Sequence, residues 1–378
     1  MVKKLYNKVE SVMMDEGENN FFSFESFLYL ISIFFNILAR CRLLLYKKGI
    51  FKIKTLFCDE PNNIKVISIG NLTVGGTGKT PMTIHVARLL KNHGLKVVIL
   101  SRGYKGSVSK KGEVICDGAS VIMEPHRSGD EPYMIAQDLK NVPLIAGRDR
   151  YKAGMMAIKR FNPDVIVLDD AFQHLKVARD INIVLLDARR PLGNAHILPR
   201  GTLRESPEVL ERAHVIVFTH GEPKNLMALK GQIKSLQSIP LFTSTHNPFI
   251  YKIIKKDKGP SKTSTDLKDP STLKWLREKQ IFAFSGIARN VDFINTLKGL
   301  KCDIVGFSEF SDHHQYADSD LDEIFNLAKT KNANLLATTQ KDYARLTQKH
   351  KWSFDLLVLG IEISFQDHEF NDFILNHI

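Results

Sequence analysis

The sequence predicts an α/β protein with a parallel-sheet core entered through a glycine loop, a second, smaller α/β domain, and an amphipathic helix in an N-terminal arm. Three observations carry that expectation. The short apolar run Val66-Ile67-Ser68-Ile69 leads into a glycine-rich loop and an amphipathic stretch through Leu90, further apolar runs follow at βαβ spacing, and the strand pattern restarts after Thr219. The 378 residues exceed what one ordinary core holds. A content of 43% hydrophobic and 25% charged residues lies near the globular average, which argues against global disorder and against a polytopic membrane protein. The formal charge, 53 − 41 = +12, calls for an anionic partner without choosing among nucleic acid, nucleotide and membrane surface. Cys41, Cys58, Cys116 and Cys302 lie far apart with no C-x-x-C spacing, so neither a zinc site nor a disulfide framework is indicated and a reducing cytoplasm fits.

The arm comes first, over residues 1–46. Its first twenty residues mix acids with lysines, unlike the basic start of a signal peptide. From Phe21 to Tyr46 the chain is strongly apolar, but its uncharged centre, Ser26 to Ala39, is shorter than the ~20 residues that span a bilayer. Glu25, Tyr29, Ser32, Asn36 and Arg40 recur at three- and four-residue steps, so a helix here carries one narrow polar stripe opposite a broad Phe/Leu/Ile face. Arg40, Arg42, Lys47, Lys48, Lys52 and Lys54 add attraction to anionic lipid. The pattern fits a helix lying in a membrane interface, and equally one packed on the protein's own core.

In the core domain, expected over residues 47–225, the loop Gly70-Asn71-Leu72-Thr73-Val74-Gly75-Gly76-Thr77-Gly78-Lys79-Thr80-Pro81 stands between a strand and a helix. Glycines let successive backbone N–H groups of Thr73 to Thr80 turn toward one anion. Lys79 is placed to reach the β and γ phosphates of a nucleotide, Thr80 to ligate Mg²⁺, and Pro81 suits a first helical turn. Thr73 occupies the first glycine position of G-x-x-x-x-G-K-[ST], so the general pattern is not strictly met. Strands are expected at Val97 to Leu100, Val142 to Ala146, Val165 to Asp169, Ile181 to Asp187 and Val215 to Thr219. Asp169 and Asp170 end one of them, where carboxylates face a nucleotide crevice and hold Mg²⁺ directly or through water. Residues 226–378 form the smaller domain, with strands at Ile281 to Ser285, Asp303 to Phe307, Leu335 to Thr338 and Leu356 to Ile361, and an exposed loop at 255–271.

Three further segments, Ser128-Gly129-Asp130-Glu131-Pro132, Asp169-Asp170-Ala171-Phe172-Gln173-His174 and Leu198-Pro199-Arg200-Gly201-Thr202-Leu203-Arg204-Glu205, complete a combination that closely resembles the tetraacyldisaccharide 4′-kinase family of lipid A biosynthesis. The Thr73 departure matches that family too. Weaker echoes are Phe284-Ser285-Gly286-Ile287-Ala288-Arg289, Ser311-Asp312-His313-His314 and Thr338-Thr339-Gln340-Lys341-Asp342, whereas Ala171, Asn290 and Gln340 stand where glycine, proline and glutamate are usual.

The resemblance implies transfer of the γ-phosphate of ATP to the 4′-hydroxyl of a lipid disaccharide phosphate. It implies a RecA-like P-loop core and a peripheral location on the cytoplasmic face of the inner membrane of a Gram-negative-type bacterium. By the same resemblance Asp130 is the base and His313 the partner that shares its proton. It implies that Asp169, Asp170, Gln173 and Glu205 stand around the Mg²⁺ that Thr80 ligates, and that Arg150 and His174 meet the glycolipid; Arg102, after the second strand at the same C-terminal edge, is a further candidate by position. No nucleic acid and no obligate protein partner is expected.

A partitioning-type P-loop ATPase is the main rival reading, but it places lysine where this chain has Val74 and has no use for S-G-D-E-P or D-D-x-F-Q-H. A GTPase is disfavoured because Thr339-Gln340-Lys341-Asp342 carries one residue too many for a base-reading motif. A nucleic-acid module lacks its aromatic-interleaved basic motif.

Overall fold

The computed structural model describes residues 8–9, 11–13, 23–57, 64–104, 106–109, 111–256, 259–261, 267, 269–346 and 352–378. Most of the polar start of the arm and much of the loop expected at 255–271 lie outside them.

Among the described residues thirteen strands lie in one sheet. They are β1 (Lys65–Asn71), β2 (Val97–Ser101), β3 (Glu113–Cys116), β4 (Leu144–Ala146), β5 (Val165–Leu168), β6 (Ile181–Asp187), β7 (Val215–Thr219), β8 (Leu241–Lys255), β9 (Gly259–Ser261), β10 (Gln280–Ser285), β11 (Asp303–Glu309), β12 (Leu335–Thr339) and β13 (Leu356–Phe365). Their order is β11-β10-β12-β13-β8-β7-β6-β1-β5-β2-β4-β3, with β9 paired to β8. The fold is thus the mixed α/β architecture expected. β1 runs parallel between β5 and β6, with Ser68 opposite Leu168, so the loop after β1 and the aspartates after β5 emerge side by side.

Near-continuous burial of these strands follows from cover on both faces. Ile67, Ile69, Ile99, Val165 and Val167 pack on one side with Met82, Val86 and Leu90 of the helix Lys79–Asn92. On the other, Val66, Val98, Leu100, Ile166 and Leu168 meet Ala153, Ala157 and Ile158 of the helix Arg150–Phe161, an N-terminus capped by Asp149.

β8 had no sequence-based expectation, and it joins the two halves. Its first residues pair in parallel with β7, and the remainder pairs antiparallel with β13 from Ser244 to Ile254. Pro248 and the polar run before it disguise the strand in sequence. Proline is tolerated because β7 has ended by that point, leaving one side of β8 without a ladder there. The chain then returns beyond the expected boundary: Ile363, Phe370 and Ile374 pack in the same core as Ile67, Ile69 and Met82.

The arm's helix runs Phe24–Lys47, capped by Ser23. Its 24 residues span about 36 Å, and by length and composition it is apolar enough to cross a membrane, a reach that the uncharged centre alone understates. The polar stripe faces the protein. The Ser32 hydroxyl donates to Leu28 O (2.9 Å) and Ile197 O (2.8 Å) and accepts from Arg200 N (3.0 Å). Tyr29 meets His196 edge-on, and Arg40 and Lys47 pair with Glu208 and Glu211 at 2.8 and 2.7 Å. Packing on the protein's own core does not account for the opposite face: Phe27, Leu30 and Phe34 are 59%, 64% and 62% exposed.

Candidate functional site

The glycine loop turns through left-handed backbone at Gly75 (φ 113°) and Gly78 (φ 82°), conformations that need glycine. Gly78 caps the helix Lys79–Asn92, and a Cβ there would come within 2.5 Å of His246 Nε2. The loop is pinned from below. Val74 N donates to Thr202 O (2.8 Å), Thr73 bridges Leu203, the Asn71 amide donates to Thr77 Oγ1 (2.7 Å), and Gln173 Nε2 donates to Asn71 O (2.9 Å). Thus the 198–205 segment, known in sequence only through resemblance, supports the loop. Gly76 lies in the same turn, Thr80 is buried, and the Lys79 ammonium, held below its ordinary pKa by burial, stands 3.9 Å from Asp170 Oδ1.

Asp169 and Asp170 differ sharply in surroundings. Asp169 is buried, accepting from Thr83 Oγ1 (3.0 Å) on one oxygen and Ser101 Oγ (3.2 Å) on the other. Burial, then the negative charges of Glu131 and Asp170, push its carboxyl up to about 6. For Asp170 burial acts upward as well, but Lys79 and Arg204 outweigh it and the carboxyl lies below its usual value. Arg204 Nη1 donates to Asp170 Oδ1 (2.9 Å) and Gln173 Oε1 (3.4 Å). The left-handed residue in this turn is Asp170 (φ 45°), not Ala171, so alanine in place of the usual glycine is accommodated. Glu205 follows Arg204, yet its carboxylate pairs with Arg212 at 2.6 Å, whose guanidinium lies over the Phe172 ring.

Arg150 is almost wholly buried, donating to Gly147 O (2.6 Å) and Asp169 O (3.1 Å), while its Nε has no partner among the described residues. His174 is kept neutral. Burial, with Arg150, Arg179 and Arg42 nearby, lowers it to about 4, and its Nε2 is buried without a partner among the described residues. Arg42, from the arm's helix, donates to Gln173 O (2.9 Å). Arg102 is exposed, and its charge reaches Arg150. Arg150, Arg179 and Arg42 therefore gather around His174, where the arm's helix passes.

The two halves meet at Asp130. It opens the helix Asp130–Asp138 after Gly129, whose φ of 88° and contact with Tyr104 O exclude a side chain. His313, itself left-handed at φ 62°, brings Nδ1 to 3.0 Å from Asp130 Oδ2. His314 turns away to Asp320 (2.9 Å), which separates the adjacent histidines that bare sequence left equivalent. Arg345 Nε donates to the same Asp130 Oδ2 at 2.7 Å. Burial raises the Asp130 carboxyl, but the His313 hydrogen bond and the Arg345 charge outweigh it, so it is held below the ordinary carboxylate range.

Sequence reasoning missed Glu131, Arg204, Lys341 and Arg345. Glu131 lies 3.3 Å from Lys341 and within electrostatic reach of Lys79, Asp170 and His313, so it stands between the nucleotide loop and the Asp130 pair. Glu131, Arg204 and Lys341 stood inside recognised motifs, Arg345 just past the last one. Only their tertiary partners distinguish them from surface charges: Asp170 for Arg204 within the core half, and contacts across the halves for Glu131, Lys341 and Arg345.

Residues 24–378 match the family model described as tetraacyldisaccharide-1-P 4′-kinase. A tetraacyldisaccharide 4′-kinase of Desulfatibacillum aliphaticivorans is 37% identical over 377 residues, covering 99% of this chain and 98% of that one. The protein of the same name from Syntrophus aciditrophicus is 39% identical over 350 residues, covering 90% and 89%. A crystal structure of LpxK from Aquifex aeolicus in complex with ATP superposes with a TM-score of 0.70 at 29% identity, covering 94% of this chain and 99% of that one.

Proposed function

The chain belongs to the tetraacyldisaccharide 4′-kinase family, and on that premise we propose how its residues divide the work of moving the γ-phosphate of ATP to the 4′-hydroxyl of a tetraacyldisaccharide 1-phosphate in lipid A biosynthesis. The observation that carries the reading is the convergence of two clusters, Lys79–Asp170–Arg204 beside the glycine loop and Asp130–His313 across the halves, with Glu131 between them. A partitioning-type ATPase has no task for the second cluster.

Phosphoryl transfer needs an aligned nucleophile, a proton acceptor and neutralised charge, with little covalent chemistry from the protein. Backbone N–H groups from Thr73 to Thr80 cradle the phosphates, and Lys79, with Arg204 behind it, offsets charge on the transferring group. Asp130 accepts the hydroxyl proton through the carboxylate that His313 orients. Arg150, His174 and Arg102 take the glycolipid's phosphate and sugar; the unpartnered Arg150 Nε and His174 Nε2 are polar atoms suited to such a ligand.

Mg²⁺ fits the donor set. Its donors are oxygens, as suits an ion usually held by one or two carboxylates together with substrate phosphates. Thr80 and Asp170 would hold it, Asp169 would stand behind through Thr83 and Ser101, and Gln173 and Glu205 would order the surroundings through Arg204 and Arg212. The ion would supply charge stabilisation on the phosphates.

The arm's helix rests its exposed apolar face in the cytoplasmic leaflet of the inner membrane, where ATP and the anchored lipid are both within reach. Lys48 and Lys52 are exposed for anionic headgroups, while Arg40 and Lys47 are engaged by Glu208 and Glu211. The deciding experiment is transfer of labelled γ-phosphate from ATP to the disaccharide 1-phosphate in mixed micelles. Label in the lipid at the 4′ position is the expected result; hydrolysis alone would refute the assignment.

A further inference from the structure

Arg345 lies in the C-terminal half just past Thr338-Thr339-Gln340-Lys341-Asp342, and its side chain is fully buried. A guanidinium removed from water is tolerated only when its donors are matched. Here Nε meets Asp130 Oδ2 at 2.7 Å, and Nη1 meets Gly286 O at 2.8 Å and Asp342 Oδ1 at 3.1 Å. Asp342 is fixed in turn by Thr339 Oγ1 (2.6 Å) and Tyr316 OH (3.0 Å). Arg345 is thus a rigid strut from the C-terminal half to a carboxylate of the core half.

Both contacts on Asp130 fall on Oδ2, and among the described residues no hydrogen bond falls on Oδ1. A carboxylate clamped through one oxygen presents the other in a defined direction. We propose that Arg345 is the positioning residue of the Asp130–His313 pair: it fixes Oδ2 and leaves Oδ1 to meet the sugar hydroxyl. The inference rests on the reading of Asp130 as proton acceptor.

Arg345 also shapes the imidazole. Its Nη2 is 3.4 Å from His313 Nδ1, so a donor and an anionic acceptor compete for that nitrogen, and the anion prefers Nδ1 protonated. His313 Nε2 then faces Asp312 at 3.8 Å. The charged and titratable groups around the pair are Arg345 and Asp342 on one side, Asp312 and Lys341 on another, with Glu131 and Tyr104 on the core side.

The test uses the full chain in detergent micelles with Arg345→Met and Arg345→Lys. Arg345→Met lowers kcat about 10²-fold, the low end for a positioned acid–base group, and leaves KM for ATP within about twofold. Its kcat profile has an acid limb moved to higher pH, because the charge that depressed Asp130 is gone. Arg345→Lys returns the limb toward its original position but recovers kcat only in part, since an ammonium cannot bridge three acceptors in one plane. A normal kcat and an unmoved limb would overturn the proposal, as would loss of ATP binding in both variants, which would make Arg345 a folding residue. Asp130→Asn separates the two levels: if it is inactive while the Arg345 variants are normal, only this inference fails; if Asp130→Asn turns over normally, the proton-acceptor reading fails and takes this inference with it.

Discussion

Removing Asp130 and His313 singly and together tests the core of the proposed chemistry. His313 Nδ1 lies 3.0 Å from Asp130 Oδ2, so carboxylate and imidazole form one hydrogen-bonded unit that shares the accepted proton, and deleting either member disables that unit. Each single alanine variant should lose ~10²–10⁴ in kcat, equal to about 2.7–5.4 kcal/mol at 1.36 kcal/mol per tenfold. Independent contributions would multiply to ~10⁴–10⁸, whereas a unit predicts a double variant little worse than the poorer single. Asp130→Ala carries a separate stability cost. It leaves buried Arg345 with Asp342 as its remaining anionic partner, so about 3 kcal/mol, the low end for breaking a buried pair, is expected. The assay is initial-rate transfer of labelled phosphate at saturating ATP, with ATP binding confirming the folded state of each variant. Multiplicative losses, or a His313→Ala enzyme of normal rate, would refute the pairing.

Lys79→Ala should abolish transfer with the fold retained, as seen by circular dichroism, because its ammonium faces Asp170 beside the loop rather than the core. Gly78→Ala should abolish ATP binding in a titration with labelled nucleotide, since its Cβ meets His246 Nε2 in a backbone that disfavours alanine. Replacing Leu30 and Phe34 together by serine should cut co-sedimentation with anionic vesicles at least severalfold while leaving ATP affinity unchanged, because both side chains point away from the protein. Asp130 has a folded pKa depressed below its unfolded value of about 4, so its stabilisation is present above that value and lost as pH falls through the lower folded one. The stability difference between the native chain and Asp130→Asn, read from urea unfolding, should therefore narrow below about pH 4.

What sequence alone determined is whatever local chemistry dictates. Glycines at 75, 76 and 78 with Lys79 and Thr80 between a strand and a helix announce the nucleotide loop, because only that order lets backbone N–H groups converge on an anion. Apolar runs at βαβ spacing announced most of the sheet for the same kind of reason, and the three-to-four-residue stripe on the arm was legible down to its individual residues. Tertiary structure decided what depends on partners distant in the chain. The stripe's direction is one case: Ser32 turns inward because Ile197 and Arg200 lie beneath it, which leaves the apolar face outside. β8 is another, since its pairing with β13 overrides the proline and polar residues that hide it. His313 differs from His314 only because Asp130 waits 183 residues away, and Arg345, silent in sequence, gains its meaning from a carboxylate 215 residues distant. A side chain's role in such a site depends on which charges folding brings beside it, and local pattern carries no record of them.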